Sequence, residues 1–163
     1  MNWIRAALLF FIVLAPAAAQ EPPDPCEALL GGGGSQPAWP GIVLEAATGD
    51  TLLIRLKDIG VRRVKLAGIQ APKGEGTLST VSRFHLARLA KGLRVFVILD
   101  PPWKAWPAEV TAAVEDFSEA QLGAGLAKGT HEGVSGLSPY VACRCDRAEQ
   151  RAKDAGLGLW GAP

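Results

Sequence analysis

The sequence has almost no excess of charge of either sign, and it has few cysteines. Its 163 residues carry 17 Lys and Arg against 16 Asp and Glu, a formal net charge of +1. This balance excludes a polybasic nucleic-acid tail or an acidic solvating tail as the main feature. Three cysteines are too few for a disulfide scaffold. Hydrophobic residues make up 48% of the chain, which excludes wholesale disorder, and the length suits one domain rather than two.

The apolar run near the N-terminus is too short to span a bilayer. It covers residues 6–14, follows Arg5, and is followed by the small residues 17–19. A charged start, an apolar run and an A-x-A site are typical of a secretory signal peptide, whereas a spanning helix needs about 20 apolar residues. We therefore expect residues 1–19 to be removed on export, leaving a periplasmic or secreted protein without a membrane span. Disulfides persist in such a compartment.

Residues 20–40 are rich in proline and glycine and include a Gly-Gly-Gly-Gly-Ser run. This composition predicts a linker, because it cannot bury enough apolar surface to offset the entropy lost on ordering. Cys26 lies inside the segment, and a cysteine in such an arm of an exported protein suggests a tether. The folded domain is expected at residues 41–163.

Beyond residue 40 the pattern predicts five strands and three helices, a mixed α+β fold. One strand begins at residue 42 and the others lie at 51–57, 61–69, 93–99 and 108–114; the helices lie at 77–91, 118–128 and 139–154. Five short strands with interleaved helices fit a small closed barrel such as an OB-fold. In the turn after the first strand, Gly49 is expected to be free to adopt a positive φ.

Four short strings carry a family resemblance. In chain order they are Gly49-Asp50-Thr51, VKLAGIQAP at 64–72, GLAK at 125–128 and GLGLW at 156–160. In order and spacing they resemble the staphylococcal nuclease-like (thermonuclease) family, over residues 41–160. The resemblance implies a five-stranded OB-fold barrel with three helices. Active members of that family hydrolyse phosphodiesters with a bound calcium ion, a glutamate proposed as general base and two arginines on the phosphate.

The resemblance assigns the family's metal ligands to three positions. The first carboxylate falls on Asp50, the second on Gln70, and the metal-binding carbonyl on Ala71. A hard cation prefers oxygen ligands with negative charge, and Gln70 removes one such charge. We therefore expect no cofactor, with calcium only if the site has been rearranged.

The resemblance also assigns the catalytic positions, and these depart from the family. The first phosphate arginine falls on Lys65, which keeps the charge but loses the bidentate geometry. The general base falls on Lys73, and an ammonium cannot accept the proton of water. The second arginine falls in residues 103–107, where Lys104 is the cation. Glu75, in a loop flanked by glycines, is the group that could restore a base.

These departures favour a binding or structural module whose hydrolytic site has degenerated. Lys65 and Lys73, together with Trp103, Lys104 and Trp106, would give weak binding of nucleic acid or another anionic ligand, because aromatic rings in OB clefts stack on bases. Packing over the barrel mouth is an equally open role for the two tryptophans. A protein partner also stays open, and we expect a monomer.

An enzyme is the alternative hypothesis: a calcium-dependent nuclease that uses Asp50, the carbonyl of Ala71 and Glu75 in an altered arrangement. Against it, an Asp after a glycine is common in turns, where its carboxylate accepts backbone hydrogen bonds, and this structural role is favoured here. His85 lies on the apolar face of the first helix and is interpreted as a packed residue rather than a ligand.

Cys143-Arg144-Cys145 is a C-x-C string, which is a weak signal for zinc or for thioredoxin-like chemistry. On a helix the two cysteines project roughly 200° apart and cannot face one partner. The resemblance places Cys145 at a position that the family usually fills with a leucine of the core. Cys143 is therefore the cysteine more free to form a disulfide. We predict a Cys26–Cys143 disulfide, with Cys26–Cys145 as the alternative, and expect the remaining thiol to be buried.

Overall fold

The computed structural model describes residues 24–30, 37–99, 109–114, 116–130 and 137–161, so the predicted signal segment lies outside it. These residues form a mixed α+β fold with three α-helices, which confirms that part of the prediction. The strands are β1 Ala38–Ala46, β2 Thr51–Leu56, β3 Gly60–Leu66, β4 Ile69–Gln70, β5 Arg94–Leu99, β6 Glu109–Val114 and β7 Lys128–Gly129. The helices are α1 Thr77–Ala90, α2 Phe117–Gly123 and α3 Pro139–Asp154.

Five strands pair in a closed cycle, in the order β1, β2, β3, β6, β5 and back to β1. The β3–β6 pair is parallel and the other four pairs are antiparallel. An irregularity between Val43 and Glu45 interrupts the β1–β2 register, and such bulges bend a strand and increase its twist. The short strands β4 and β7 form a separate antiparallel pair.

The hydrophobic core lies inside the cycle because side chains alternate along each strand. In β2, Leu52, Ile54 and Leu56 are buried while Arg55 is exposed. Helix α1 packs on β1 and on α2, α2 packs on α3, and each of the three helices adds side chains to the core. Core side chains include Val43, Leu52, Ile54, Leu56, Val64, Leu66, Leu86, Val95, Val97 and Leu122.

Helix α3 begins and ends as the sequence predicts. Pro139 occupies the first turn, and the hydroxyl of Ser138 accepts the N–H of Val141 at 3.3 Å, which caps the helix. Within the described ranges, no helix combines the length and the apolar character needed to cross a bilayer.

Two predicted element boundaries are wrong. The third strand stops at Leu66 rather than at residue 69, since Gly68, with a φ of +74°, turns the chain before β4. The helix predicted at 118–128 covers only Phe117–Gly123. It stops before Gly125, which has a φ of +67° and packs so tightly that a Cβ there would lie 2.2 Å from the carbonyl oxygen of Leu157.

The segment predicted as a linker contains secondary structure at both ends. Pro25–Leu29 form a 3-10 helix, and the carboxylate of Asp24 caps it by accepting the N–H of Cys26 at 2.9 Å. Strand β1 begins at Ala38, before the predicted start of the domain at residue 41.

The predicted Cys26–Cys143 disulfide is confirmed, and it fastens the 3-10 helix to α3. The side chain of Arg147 adds an ion pair to Asp24 in the same place. Cys145 is a free thiol and is buried, as expected, so the alternative pairing with Cys26 is wrong.

Candidate functional site

A cleft of about 580 Å³ opens beside the turn between β1 and β2. Its walls come from that turn, the outward side of β3, the segment after β4 and the first turns of α1. The cleft brings together five residues singled out from the sequence, namely Asp50, Lys65, Ala71, Lys73 and Glu75. The topology thus gathers positions that lie up to 25 residues apart in the chain.

Asp50 is the buried carboxylate of the cleft, with 8% of its surface exposed. Its Oδ1 accepts hydrogen bonds from the hydroxyls of Thr48 at 2.6 Å and Thr51 at 3.2 Å. Its Oδ2 accepts the backbone N–H of Ala71 at 3.1 Å, and its own carbonyl accepts the N–H of Leu66 at 2.7 Å. The residue therefore fastens the end of β3 and the segment after β4 to the turn.

This bonding pattern leaves Asp50 little capacity as a metal ligand. A carboxylate has about four lone-pair positions, and three protein donors use them here. Calcium takes six to eight oxygen ligands, usually several of them carboxylates. No group of three or more Asp, Glu, His or Cys side chains suited to a metal occurs in the described part of the chain. The carboxylates that line the cleft are those of Asp50 and Glu75.

Gln70 lies apart from the other predicted metal positions. It is exposed on β4, where its backbone pairs with Lys128 of β7, and it is not among the residues that line the cleft. The backbone N–H of Ala71 donates to Oδ2 of Asp50, and Ala71 lines the cleft with it. The structure therefore brings two of the three predicted metal positions together and leaves Gln70 outside the lining.

Four cationic side chains line the cleft against two carboxylates. Arg63 and Lys65 alternate outward along β3, Lys73 comes from the segment after β4, and Arg83 comes from α1. Glu75 lines the same space and is exposed to solvent. The lining therefore carries a net positive charge, which suits an anion better than a cation.

Arg83 was missed by sequence reasoning. It lies one helical turn after Ser79, and both residues line the cleft, so the i, i+4 spacing on α1 is the signal that could have found it. Its guanidinium also lies over the ring of Phe84, 5.2 Å from the centroid.

Gly49 is required for close packing. It is not among the described glycines with positive φ, so the expectation of a left-handed turn residue is wrong. A Cβ at Gly49 would lie 1.9 Å from the hydroxyl of Ser82 and 2.8 Å from the Cβ of Ala71. The absence of a side chain lets the turn pack directly on α1.

A buried glutamine of α2 holds this arrangement together. The Nε2 of Gln121 donates to the carbonyl of Gly49 at 2.5 Å and to the Ser82 carbonyl at 3.1 Å. Its Oε1 lies 2.5 Å from Nδ1 of His85, which fits His85 as a packed donor. The Ser82 hydroxyl donates in turn to the carbonyl of Leu126 at 2.8 Å. No sequence pattern singles out Gln121.

The predicted ligand-binding residues Trp103, Lys104 and Trp106 lie outside the described residues. A scan of the chain against models of known protein families gives no match, and a search of curated proteins also finds no match. The functional argument accordingly depends on the geometry of the cleft.

Proposed function

We propose that this chain is an exported thermonuclease-like domain whose cleft binds a phosphate-bearing anion without hydrolysing it. The observation that carries the proposal is the state of Asp50, whose carboxylate is engaged by three protein donors and acts as a structural clamp. With three of about four lone-pair positions in use, this carboxylate has little left to offer a divalent cation.

The cations around Asp50 supply the binding chemistry. Arginine offers a planar fork and lysine a compact charge, and both pair strongly with phosphate oxygens. Arg63, Lys65, Lys73 and Arg83 converge on one cleft. Lys73 stands where the family resemblance would require a general base, and an ammonium cannot serve as one.

The cyclic strand order supports the proposal of a five-stranded OB-fold barrel. In that architecture the cleft would lie on the outside of the barrel, beside its first turn. An open cleft with cations on several elements suits an extended or branched anion rather than an enclosed small molecule.

A calcium-dependent nuclease is the second candidate, and one observation favours it. Glu75 lines the same cleft as Asp50, two residues after Lys73, and it is solvent-exposed. In this alternative Glu75 would act as general base and the cations would stabilise charge on the phosphoryl oxygens.

Calorimetric titration tests the two candidates. The full chain is titrated with inorganic pyrophosphate and with a nucleoside bisphosphate, each with and without calcium, alongside a cleavage assay on single-stranded DNA. We expect anion binding that does not require calcium and no cleavage. Removing one lysine contact, in Lys73→Ser, should weaken pyrophosphate binding about fivefold.

Arg88→Ser is the matched control, because Arg88 is exposed on α1 outside the cleft lining. It should bind pyrophosphate as the wild type does. Calcium-dependent cleavage that disappears in Asp50→Ala and in Glu75→Gln would refute the binding module and establish the nuclease. If Arg88→Ser and Lys73→Ser weakened pyrophosphate binding equally, the anion-binding site would not be the cleft.

A further inference from the structure

The outward side of β1, β3 and β5 carries apolar side chains where a solvated sheet normally carries polar ones. Ile42 is 40% exposed, Val61 46% and Phe96 58%. Pro40, which lies opposite Phe96 in the β1–β5 register, is also exposed. Exposed apolar side chains grouped on one side of a folded domain and bordered by polar residues mark an interaction surface.

Cations alternate with these apolar side chains across the strands. Ile42 pairs with Arg94 on one side and with Arg55 on the other, and Arg55 pairs with Val61. Side chains directly opposite in antiparallel strands lie about 5 Å apart. The register therefore gives one continuous row, Arg94–Ile42–Arg55–Val61, on the outside of the sheet.

Two further residues extend this row on the same side. Phe96 lies two residues after Arg94 on β5, and Lys57 lies two residues after Arg55. The backbone N–H of Lys57 bonds to the carbonyl of Pro40 at 3.2 Å, which keeps it beside β1. We name this set the outer face: Ile42, Arg55, Lys57, Val61, Arg94 and Phe96.

The cations of the outer face lack ion-pair partners within the described part of the chain. None of the ion pairs found there involves Arg55, Lys57 or Arg94. The acids nearest in the pairing lie at the border: Glu45, opposite Leu53 beyond the β1 bulge, and Asp58, in the turn after Lys57. Closely spaced, unpaired cations attract an extended anionic partner.

We propose that the outer face adsorbs to an anionic lipid surface. Ile42, Val61 and Phe96 would enter the interfacial layer, while the three cations reach headgroup phosphates. Aliphatic side chains between cations fit this partner better than a nucleic acid, since base stacking uses aromatic rings and Phe96 is the aromatic residue of the face. The proposal is independent of the cleft and of its ligand.

Co-sedimentation with lipid vesicles tests the proposal. The full chain is mixed with vesicles of phosphatidylcholine alone and with vesicles of phosphatidylcholine and phosphatidylglycerol in equal amounts. We expect binding to the anionic vesicles that weakens as salt is added. Each cation removed should weaken it about fivefold, so R55S/R94S should lose about 25-fold. Phe96→Ser should lose about tenfold.

The controls separate the outer face from other lipid-binding elements. Every variant carries the same residues 1–19, so a difference between variants reports on the substituted face. Lys73→Ser removes one charge from the cleft and should bind vesicles as the wild type does. Thermal melting checks that each variant is folded, and the single variant Lys57→Ser replaces R55S/R94S if the pair is not.

Three results would overturn the proposal. These are equal vesicle binding by wild type and R55S/R94S, an equal loss caused by Lys73→Ser, and tighter binding of a single-stranded oligonucleotide to the outer face than of anionic vesicles.

Discussion

The side-chain amide of Gln121 donates to the backbone carbonyl of Gly49 at 2.5 Å, although 72 residues separate the two in sequence. The same amide reaches Ser82 of α1, so one buried side chain joins α2, α1 and the β1–β2 turn. Asp50 directly follows Gly49. Gln121 therefore ties the turn that carries the buried carboxylate of the cleft to α1.

Replacing Gln121 by Leu should destabilise the protein strongly. The substitution leaves the Gly49 carbonyl without its side-chain donor and His85 without its acceptor, and unsatisfied buried polar groups cost about 1–3 kcal/mol each. We expect the free energy of unfolding, measured by urea denaturation, to fall by about 3 kcal/mol.

Gln150→Leu is the matched control for this substitution. Gln150 is exposed on α3 and donates to Asp154 at 2.8 Å, so its replacement should change stability by less than about 0.5 kcal/mol. Similar losses in the two variants would show that Gln121 has no special role in joining the three elements.

The elements that could be predicted from the sequence are those whose signal is local. The apolar/charged alternation Ile54-Arg55-Leu56 marks the end of β2, and Ser138 with Pro139 marks the start of α3. The end of α2 could not be predicted, because it depends on the packing of Gly125 against Leu157, far along the chain.

The residues of the cleft also divide into those with a local signal in the sequence and those that depend on packing between distant elements. Positions carried over from the resemblance, such as Lys65 and Lys73, meet in the cleft, because they lie only eight residues apart in the chain, on β3 and on the segment after β4, which both form its wall. Arg83 and Gln121 enter only through the docking of α1 and α2, which no short pattern encodes. The sequence alone does not show why residue 49 must be glycine. A glycine that is needed for lack of space and one that is needed for a positive φ are the same letter.

Gly49→Ala should be costly because the new methyl group has no room. Its Cβ would lie 1.9 Å from the Ser82 hydroxyl and 2.7 Å from the Ser82 Cβ, so the turn must move away from α1. Overpacking of this kind costs about 1–3 kcal/mol. Thermal unfolding should show a lowered midpoint.

Gly123→Ala is the comparison for Gly49→Ala. A Cβ at Gly123 would meet only the Cβ of Ala148, at an ordinary 3.7 Å, and alanine favours a helix. The midpoint of this variant should stay unchanged or rise. A Gly49→Ala protein as stable as Gly123→Ala would contradict the packing argument.

The Cys26–Cys143 disulfide should make a large contribution to stability. It links residues 117 positions apart, and cross-links that close long loops stabilise by about 2–5 kcal/mol. We expect urea unfolding of the wild type to shift to lower denaturant when reductant is added. The variant C26A/C143A should unfold at the same urea concentration with and without reductant.

Cys145→Ala is the control that distinguishes the effect of losing the disulfide from the effect of replacing a cysteine that is not part of it. Its thiol is free, so the variant should keep the full dependence on reductant. A variant that lost this dependence would indicate that Cys145, rather than Cys143, pairs with Cys26 in solution.

The buried thiol of Cys145 should be almost inert in the folded protein. Burial, and then the charges of Glu119 and Asp146, raise the pKa of Cys145 to about 12. The thiolate is the reactive species, and at about pH 8 this pKa lowers its fraction about 1000-fold relative to the unfolded chain. Labelling with a thiol-specific disulfide reagent should therefore be at least about 100-fold slower in the native protein than in urea.

The raised pKa of Cys145 should make the free energy of unfolding fall as the pH rises. The folded chain holds the Cys145 proton more tightly than the unfolded chain, so the contribution is complete below the unfolded pKa and is lost as the pH rises through about 12. The stability advantage of the wild type over Cys145→Ala should consequently shrink between about pH 8 and pH 10 in urea denaturation. An advantage that stays constant or grows over that range would mean that the thiol ionises as easily in the folded protein as in the unfolded one.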